Sequence, residues 1–398
     1  MQFGNTTQRW GAVSKLLHWV IVALVITQFV LANLAMDLPF GMAKLGMLAR
    51  HKSVGITILA LALLRLLWRS LQPAPTLPAA MPRAQRWLAQ GTHRLLYLLL
   101  CAMPLSGWMM SSAKNYPVSW FGLLQLPDLV APGEAVYSAL HGANELMAGL
   151  LALTALLHLL GALKHHFFDR DDVLRRMLPF VRGLAPLLAV LGVAVVAAAS
   201  AGPVVAATSA RASMPAAAGR DATGVRYVLD PTRSTLEFRF RQAGATATGR
   251  FTRYRVTLEW PGTVTSPGNA KLEVEIDTAS LDTADADRDG TLRGADLFAV
   301  ERFPQARFTA RELVPTAPSG ILMARGLLQI RDRSRALAVP LNVRFATESG
   351  RRVAYLRGEA PLKRLEFGVG QGEWQSTQWV DDEVVVHWDL RLQESPSP

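Results

Sequence analysis

Five long apolar runs govern what this chain can fold into, because each is long enough to cross a hydrocarbon layer as a helix. A crossing of a ~30 Å core takes ~20 helical residues. The runs Lys15–Ala35, His51–Leu71, His93–Ser112, His141–His165 and Leu184–Ala206 all meet that length. Lipid offers no water to bare peptide groups, so each run must satisfy its own backbone as a helix. All five lie before residue 207 of a 398-residue chain, and the remainder is charged and alternates like strands. The overall composition, half hydrophobic and 18% charged, averages over that division.

The net charge of +11 raises the question of a nucleic-acid partner, and its distribution argues against one. Basic residues either scatter along strand-like segments or flank apolar runs, where they report topology. Arg65, Arg69, Arg83, Arg86 and Arg94 cluster between runs two and three; Arg170, Arg175, Arg176 and Arg182 cluster between runs four and five. The other loops carry only Lys44, Arg50 and Lys114, offset by Asp37, Asp128 and Glu134. The excess of positive charge predicts a cytoplasmic N-terminus, and five crossings then put everything after about residue 207 on the opposite side. Run five also has the form of a signal peptide, with a basic flank and small residues near Ala206; a retained anchor and a cleaved linker both remain open. The single cysteine, Cys101, excludes an internal disulfide or a thiolate zinc site. No Cys-x-x-Cys-His occurs, so any haem is held without thioether links.

Ionisable side chains inside a membrane are costly and usually functional. His18 falls near the cytoplasmic end of run one, and His51 opens run two at the other face. His141 opens run four, and His158 lies 17 residues farther along it, about 25 Å at ~1.5 Å per residue. One helix thereby offers ligands at two depths, predicting b-type haem between His18 and His158 and a second between His51 and His141. Two imidazoles fill both axial positions of an iron and favour electron transfer. His93 competes as a ligand at the His18 level, or supports one from behind. His165 and His166 read as solvated residues at a helix end.

His18-Trp19, Arg50-His51, Trp87 with His93-Arg94-Leu95-Leu96-Tyr97, Met103-Pro104-Leu105-Ser106-Gly107-Trp108, and His158 with His165-His166-Phe167 and Asp171-Asp172-Val173-Leu174-Arg175-Arg176-Met177 together resemble the bacterial cytochrome b561 family. The resemblance spans residues 1 to about 180. It implies a four-helix di-haem b bundle in the inner membrane that exchanges electrons with ubiquinone or another isoprenoid quinone. Some members are similar to a superoxide oxidase, with superoxide as the periplasmic donor. One departure stands out: the family pattern places the first ligand of run four beside Glu145, where this chain has Asn144, and His141 is a turn earlier.

Beyond a Ser/Ala/Pro/Gly-rich linker, apolar residues alternate at Leu236, Phe238 and Phe240, at Val256, Leu258 and Trp260, and at Leu272, Val274 and Ile276. Val384, Val386, Trp388, Leu390 and Leu392 do the same, with His387 on the opposite face. Asp285-x-Asp287-x-Asp289-Gly290 imitates a calcium loop but lacks the final Glu and the flanking helices. Tyr227-x-Leu229-Asp230-Pro231-x2-Ser234, Gly249-Arg250-Phe251, Ile276-Asp277-x2-Ser280-Leu281-x-Thr283, Phe303-Pro304-x3-Phe308 and Phe367-Gly368-Val369-Gly370 resemble the YceI-like family over residues 225–393. That resemblance implies a lipocalin-like antiparallel barrel holding a polyisoprenoid chain such as a quinone tail. A closed barrel of this size fits one slender ligand or a filled core.

The expected architecture is a membrane haem domain over 1–183, a fifth transmembrane helix and linker over 184–224, and a periplasmic all-β barrel over 225–398. The expected function is electron exchange between the quinone pool and a periplasmic redox partner, with the barrel binding isoprenoid. The alternative is an isoprenoid carrier whose helical bundle is mainly an anchor.

Overall fold

The structure, a computed structural model, describes residues 3–76, 81–178, 224–261, 267, 270–316 and 321–395. Run five, the linker and the candidate cleavage point near Ala206 lie outside the described residues. The chain divides into a helical unit and a strand unit.

The helical unit contains α1 (Ala12–Met36), α2 (Met42–Leu71), α3 (Arg83–Ala113) and α4 (Glu134–Phe167), each long and apolar enough to cross a membrane. A short hairpin, β1 (Ser119–Trp120) and β2 (Leu124–Gln125), joins α3 to α4, and α5 (Val173–Met177) follows. Helices α2 and α3 begin about nine and ten residues before the expected runs. The extra turns of α3, such as Arg83-Ala84-Gln85-Arg86, are polar and carry no apolar-length signal, whereas those of α2 are apolar, with Met42 and Leu45 buried, but broken by Lys44 and Arg50. Ile21 and Leu31 of α1, Val54, Ile58 and Ala62 of α2 and Leu100 of α3 form a buried cluster. Leu63, Leu64 and Leu67 on α2 and Leu153, Leu156 and Leu157 on α4 point outward and exposed, as a lipid-facing surface requires. The hairpin is pinned against the middle of α2, where Phe121 N–H donates to Ser53 Oγ (3.0 Å) and Trp120 Nε1 donates to Thr57 Oγ1 (3.1 Å).

The strand unit is an antiparallel barrel. Its ring is β3 (Gly224–Leu229), β6 (Tyr254–Pro261), β7 (Lys271–Asp277), β9 (Gln305–Thr316), β10 (Ile321–Ile330), β11 (Arg333–Glu348), β12 (Arg351–Lys363) and β13 (Val380–Glu394), closed by β12 pairing with β13. Strands β4 (Thr235–Gln242), β5 (Ala245–Phe251) and β8 (Leu281–Asp282) extend the sheet from β13. Along the same edge, β13 pairs with β4 at Val380–Asp389 and with β3 at Leu392–Glu394. The Tyr227–Ser234 motif makes that switch. Asp230 accepts from Thr232 N–H and Oγ1 to hold a tight turn, and Ser234 Oγ accepts from Arg391 N–H (2.9 Å). The Arg391 guanidinium pairs with both Asp230 and Glu348.

Alternation decides the interior, as expected from the period of two. Val256, Leu258 and Trp260 are buried, as are Leu272, Leu341, Leu356, Trp388, Leu390 and Leu392. Close approach explains two glycines: a Cβ at Gly249 would overlap the Phe238 ring, and one at Gly358 would lie 2.6 Å from Trp388. His387 takes the outward register between Glu359 and Glu237, 3.8 Å from the Glu359 carboxylate. The calcium-like loop is a capped helix, α6 (Ala286–Arg293). Asp285 Oδ1 accepts from Arg288 N–H (2.8 Å), and Asp289 Oδ1 accepts from Thr283 N–H (3.0 Å).

Candidate functional site

Three helices bring histidines together at one level of the bundle. The His18 ring of α1 lies 6.2 Å from the His158 ring of α4, centre to centre, at an interplanar angle of 84°. With a metal–imidazole bond of about 2 Å on each side of an iron, two axial rings stand roughly 6 Å apart. The pair has that separation. His93 of α3 lies 4.9 Å from His158, too close to share an iron with it from opposite sides. Its Nδ1 is held by the Ala89 carbonyl (2.7 Å), which fixes the ring beside the pair.

Positive charge gathers at the same level. Arg65 Nη1 of α2 is 3.1 Å from His18 Nδ1, and Arg65 and Arg69 both lie over the Tyr97 ring. Haem carries two carboxylates on its edge, and guanidinium groups are the side chains best shaped to bind them. The arginines were read from sequence only as topology signals. Their spacing held a further clue: Arg65 follows His51 by 14 residues on one helix and so shares its face within roughly 40°.

His51 stands alone at the other level. Its ring is hydrogen-bonded to the Gln28 main chain, and its Nδ1 is buried with no hydrogen-bond partner among the described residues. One ring nitrogen fixed by a carbonyl and the other free is the arrangement of a metal-binding imidazole. His141 is half-exposed, 3.7 Å from Glu145, with its ring centre 5.6 Å from that of Tyr137 at a 50° tilt. No contact between His51 and His141 occurs among the described residues. Asn144 faces the bundle instead, its Oδ1 accepting from Ser106 Oγ of α3 (2.9 Å). His165 packs its Nδ1 against Asp171 (2.7 Å) and Asp169 (3.2 Å), bracketing the end of α4, while Lys164 Nζ holds Asp169 at 2.7 Å. Sequence reading gave His165 no such role; acidic residues four and six positions on were the available signal.

In the strand unit, two buried indoles, Trp260 and Trp388, have Nε1–H groups without a partner among the described residues. Trp260 packs against Phe345 (4.9 Å), which in turn meets Tyr227 (5.6 Å). An open cavity of about 590 Å³ lies where β4 and β5 splay from β6 and β7, with Leu236, Phe251, Tyr254 and Ile276 on its wall. Burial pushes the Tyr254 hydroxyl up to about 12, so it is a neutral donor there.

The family model for prokaryotic cytochrome b561 matches residues 9–180. Cytochrome b561 homolog 2 of Escherichia coli is 34% identical over 180 residues, covering 45% of this chain and 95% of that protein. The chain belongs to the cytochrome b561 family. A Yersinia pestis relative named "Probable superoxide oxidase CybB" is 29% identical over 167 residues, 42% of this chain and 94% of its own length. The YceI-like domain model matches residues 227–392. Burkholderia cenocepacia BcnA, a solved structure, is 26% identical with a TM-score of 0.37, over 41% of this chain and 98% of its own. This cytochrome b561 relative is therefore a membrane protein of a redox family joined to a YceI-like barrel, and its family implies b-type haem. The His18–His158 pair fits that group: two half-buried imidazoles whose ring centres are 6.2 Å apart, with arginines beside them.

Proposed function

We propose that the protein transfers electrons across the bacterial inner membrane through b-type haem, between the quinone pool and a periplasmic redox partner. The observation that carries this reading is the His18–His158 geometry, a 6.2 Å ring separation inside an apolar bundle. Haem would supply the one-electron chemistry when bound; His18 and His158 would hold its iron, and Arg65 and Arg69 would pair with its carboxylates. The second level rests on His51, with its expected partner on α4 being His141. Those two residues would hold a second such group, giving electrons a second station across the bilayer. The cytoplasmic N-terminus follows from Arg65 and Arg69 at the end of α2, Arg83 and Arg86 at the start of α3, and Arg175 and Arg176 of α5, and with a spanning segment and linker at 184–224 the reading puts residues 225–398 in the periplasm.

The barrel takes an isoprenoid chain, the tail of ubiquinone or a similar quinone, along its apolar interior. The unpartnered indole N–H groups of Trp260 and Trp388 give a polar head group something to bond. Superoxide is the small-molecule candidate for the periplasmic donor, suggested by the Yersinia relative's name. A reduced-minus-oxidised optical spectrum of the purified full-length protein tests the reading. A b-type band with haem quantified by pyridine haemochrome is expected; no b-type haem would leave a membrane-anchored isoprenoid carrier.

A further inference from the structure

The connection between α3 and α4 is apolar where a loop in water would be polar. The 13 residues from Asn115 to Pro127 carry no charge, and charges return only at Lys114 and Asp128 on either side. Within them the β1–β2 hairpin turns on Phe121 and Gly122, whose φ angles are 49° and 74°. Leu123 N–H donates to the Trp120 carbonyl (3.0 Å) and closes the turn. Two successive left-handed residues suit Asn-Gly, and a bulky aromatic at the first of them is unfavourable. Phe121 nevertheless stands exposed there together with Leu123 and Leu124, and Leu123 is 79% exposed.

That exposure is built into a firmly held hairpin. Phe121 N–H is taken by Ser53 Oγ, and Leu126 N–H donates to the Val118 carbonyl (2.8 Å). The two nearby indoles turn their polar edges inward, Trp120 Nε1 to Thr57 Oγ1 and Trp108 Nε1 to the Pro127 carbonyl (3.0 Å). These donors are met by protein, as non-helical chain beside lipid requires, and the tip offers carbon to its surroundings. Its level is set by α2. Thr57 lies five residues past Lys52, about 7.5 Å along the helix towards Arg65 and Arg69. The hairpin therefore rests against α2 on the apolar side of Lys52.

We propose that the hairpin tip, Phe121, Leu123 and Leu124, is inserted among lipid acyl chains at the bilayer face nearer His51, as a fixed apolar wedge beside α2. Lipid is the occupant because the tip is carried between two membrane-spanning helices, uncharged, at a level within the apolar stretch of α2. Apolar surface in that place gains by leaving water for the acyl boundary. Insertion ties the α3–α4 connection to the bilayer and fixes its depth over the end of the bundle that carries His51. Nothing in this depends on haem.

The test places single cysteines, Leu123→Cys, Leu124→Cys, Asp128→Cys and Leu153→Cys, in full-length Cys101→Ser protein. Each is labelled with a nitroxide and reconstituted into nanodiscs of palmitoyl-oleoyl phosphatidylcholine. Electron paramagnetic resonance reads the label's collisions with oxygen, which concentrates among acyl chains, against those with a nickel chelate, which stays in water. The oxygen-to-nickel ratio for Leu123→Cys and Leu124→Cys is expected to be several-fold above that for Asp128→Cys. It should approach the ratio for Leu153→Cys, on the exposed side of α4. Ratios at both hairpin positions equal to that of Asp128→Cys would put the tip in water and overturn the proposal. Low collision rates with both reagents would mean that protein, such as a second copy of the chain, covers the tip, and would overturn it equally. Using two hairpin positions guards against one label disturbing the turn, and either refutation leaves the electron-transfer reading intact.

Discussion

Arg364 offers the sharpest energetic test of the barrel. Its guanidinium is buried and bonds only to main-chain carbonyls: Nη1 to Val369 (3.1 Å) and Trp374 (2.7 Å), Nη2 to Ser376 (3.3 Å) and Val380 (3.1 Å), and Nε to Asp381 (2.9 Å). These carbonyls belong to the loop between β12 and β13 and to the start of β13, so one side chain sets the closing connection of the ring. Gly370 is part of that fit, since a Cβ there would overlap Arg364 Nη1 and its φ is 124°. In Arg364→Met the two buried carbonyls facing Nη1 lose their partner, at about 1–3 kcal/mol each. The other three are partly solvated and regain water. The expected loss is about 4 kcal/mol, consistent with the ~3–5 kcal/mol found on removing one side of a buried charged network. For a domain of this size that lowers Tm by about 8–16 °C at ~2–4 °C per kcal/mol. Arg364→Lys, with three donors in place of five, should fall between. The far-ultraviolet circular dichroism of the strands, followed during heating of the full-length protein, separates the barrel from the helical bundle. A Met variant melting within about 2 °C of the parent would refute the reasoning.

Other expectations are as direct. His18→Ala or His158→Ala should remove the haem at their level, about half of the total, measured by pyridine haemochrome; unchanged content would exclude the pair as ligands. Trp260→Phe and Trp388→Phe should each weaken binding of an isoprenoid quinone by about 2- to 10-fold, the worth of one hydrogen bond, in a titration monitored by calorimetry. Equal affinity for parent and both variants would show that the indoles do not meet the head group. The pH response of the barrel follows from Asp230 and Glu348. The Thr232 hydroxyl, then Gln393 and Arg391, hold Asp230 below the usual carboxylate range, and the Tyr355 hydroxyl, then Arg391, do so for Glu348. A depressed folded-state pKa stabilises above the unfolded value of about 4 and is lost as pH falls through the lower folded value. Barrel Tm should therefore fall between about pH 5 and pH 3, with a shallower slope in Asp230→Asn; parallel slopes would remove Asp230 from the account.

The parts of this fold legible in the sequence are those written in a period or a length. Apolar length found α1 to α4, and alternation found the buried faces of β4, β6, β7 and β13. The apolar first turns of α2 are broken by Lys44 and Arg50, and the polar first turns of α3 carried neither signal. Nor did the register switch of β13 from β4 to β3, which depends on Asp230, Ser234 and Arg391, residues 157 to 161 positions apart that meet only after folding. The candidate site divides in the same way. His18, His51 and His158 stand out because an ionisable group in an apolar run is conspicuous. Arg65 was masked by its second role as a topology signal, and Ser106 and Asn144 by being ordinary polar residues.

The two halves have a chemical reason to share a chain. On the proposed function a quinone head group is exchanged at the membrane bundle, while its isoprenoid tail requires either lipid or an apolar protein interior. Tail burial scales with apolar area at roughly 25 cal/mol per Å², so a barrel can hold such a molecule outside lipid without specific polar contacts. On the proposed function, selectivity comes from the few groups that recognise the head, with Trp260 and Trp388 among the buried donors without a partner in the described residues. The same logic holds in the bundle, where many leucines make the solvent and a handful of imidazoles choose the cofactor. On the proposed function, His51 Nδ1 and the Trp260 and Trp388 indole nitrogens are polar atoms without a partner among the described residues that a ligand would engage. His51 Nδ1 and the two indole nitrogens are therefore the positions at which a ligand should change stability most, and mass action predicts that Tm of each unit rises with its own ligand and not with the other's.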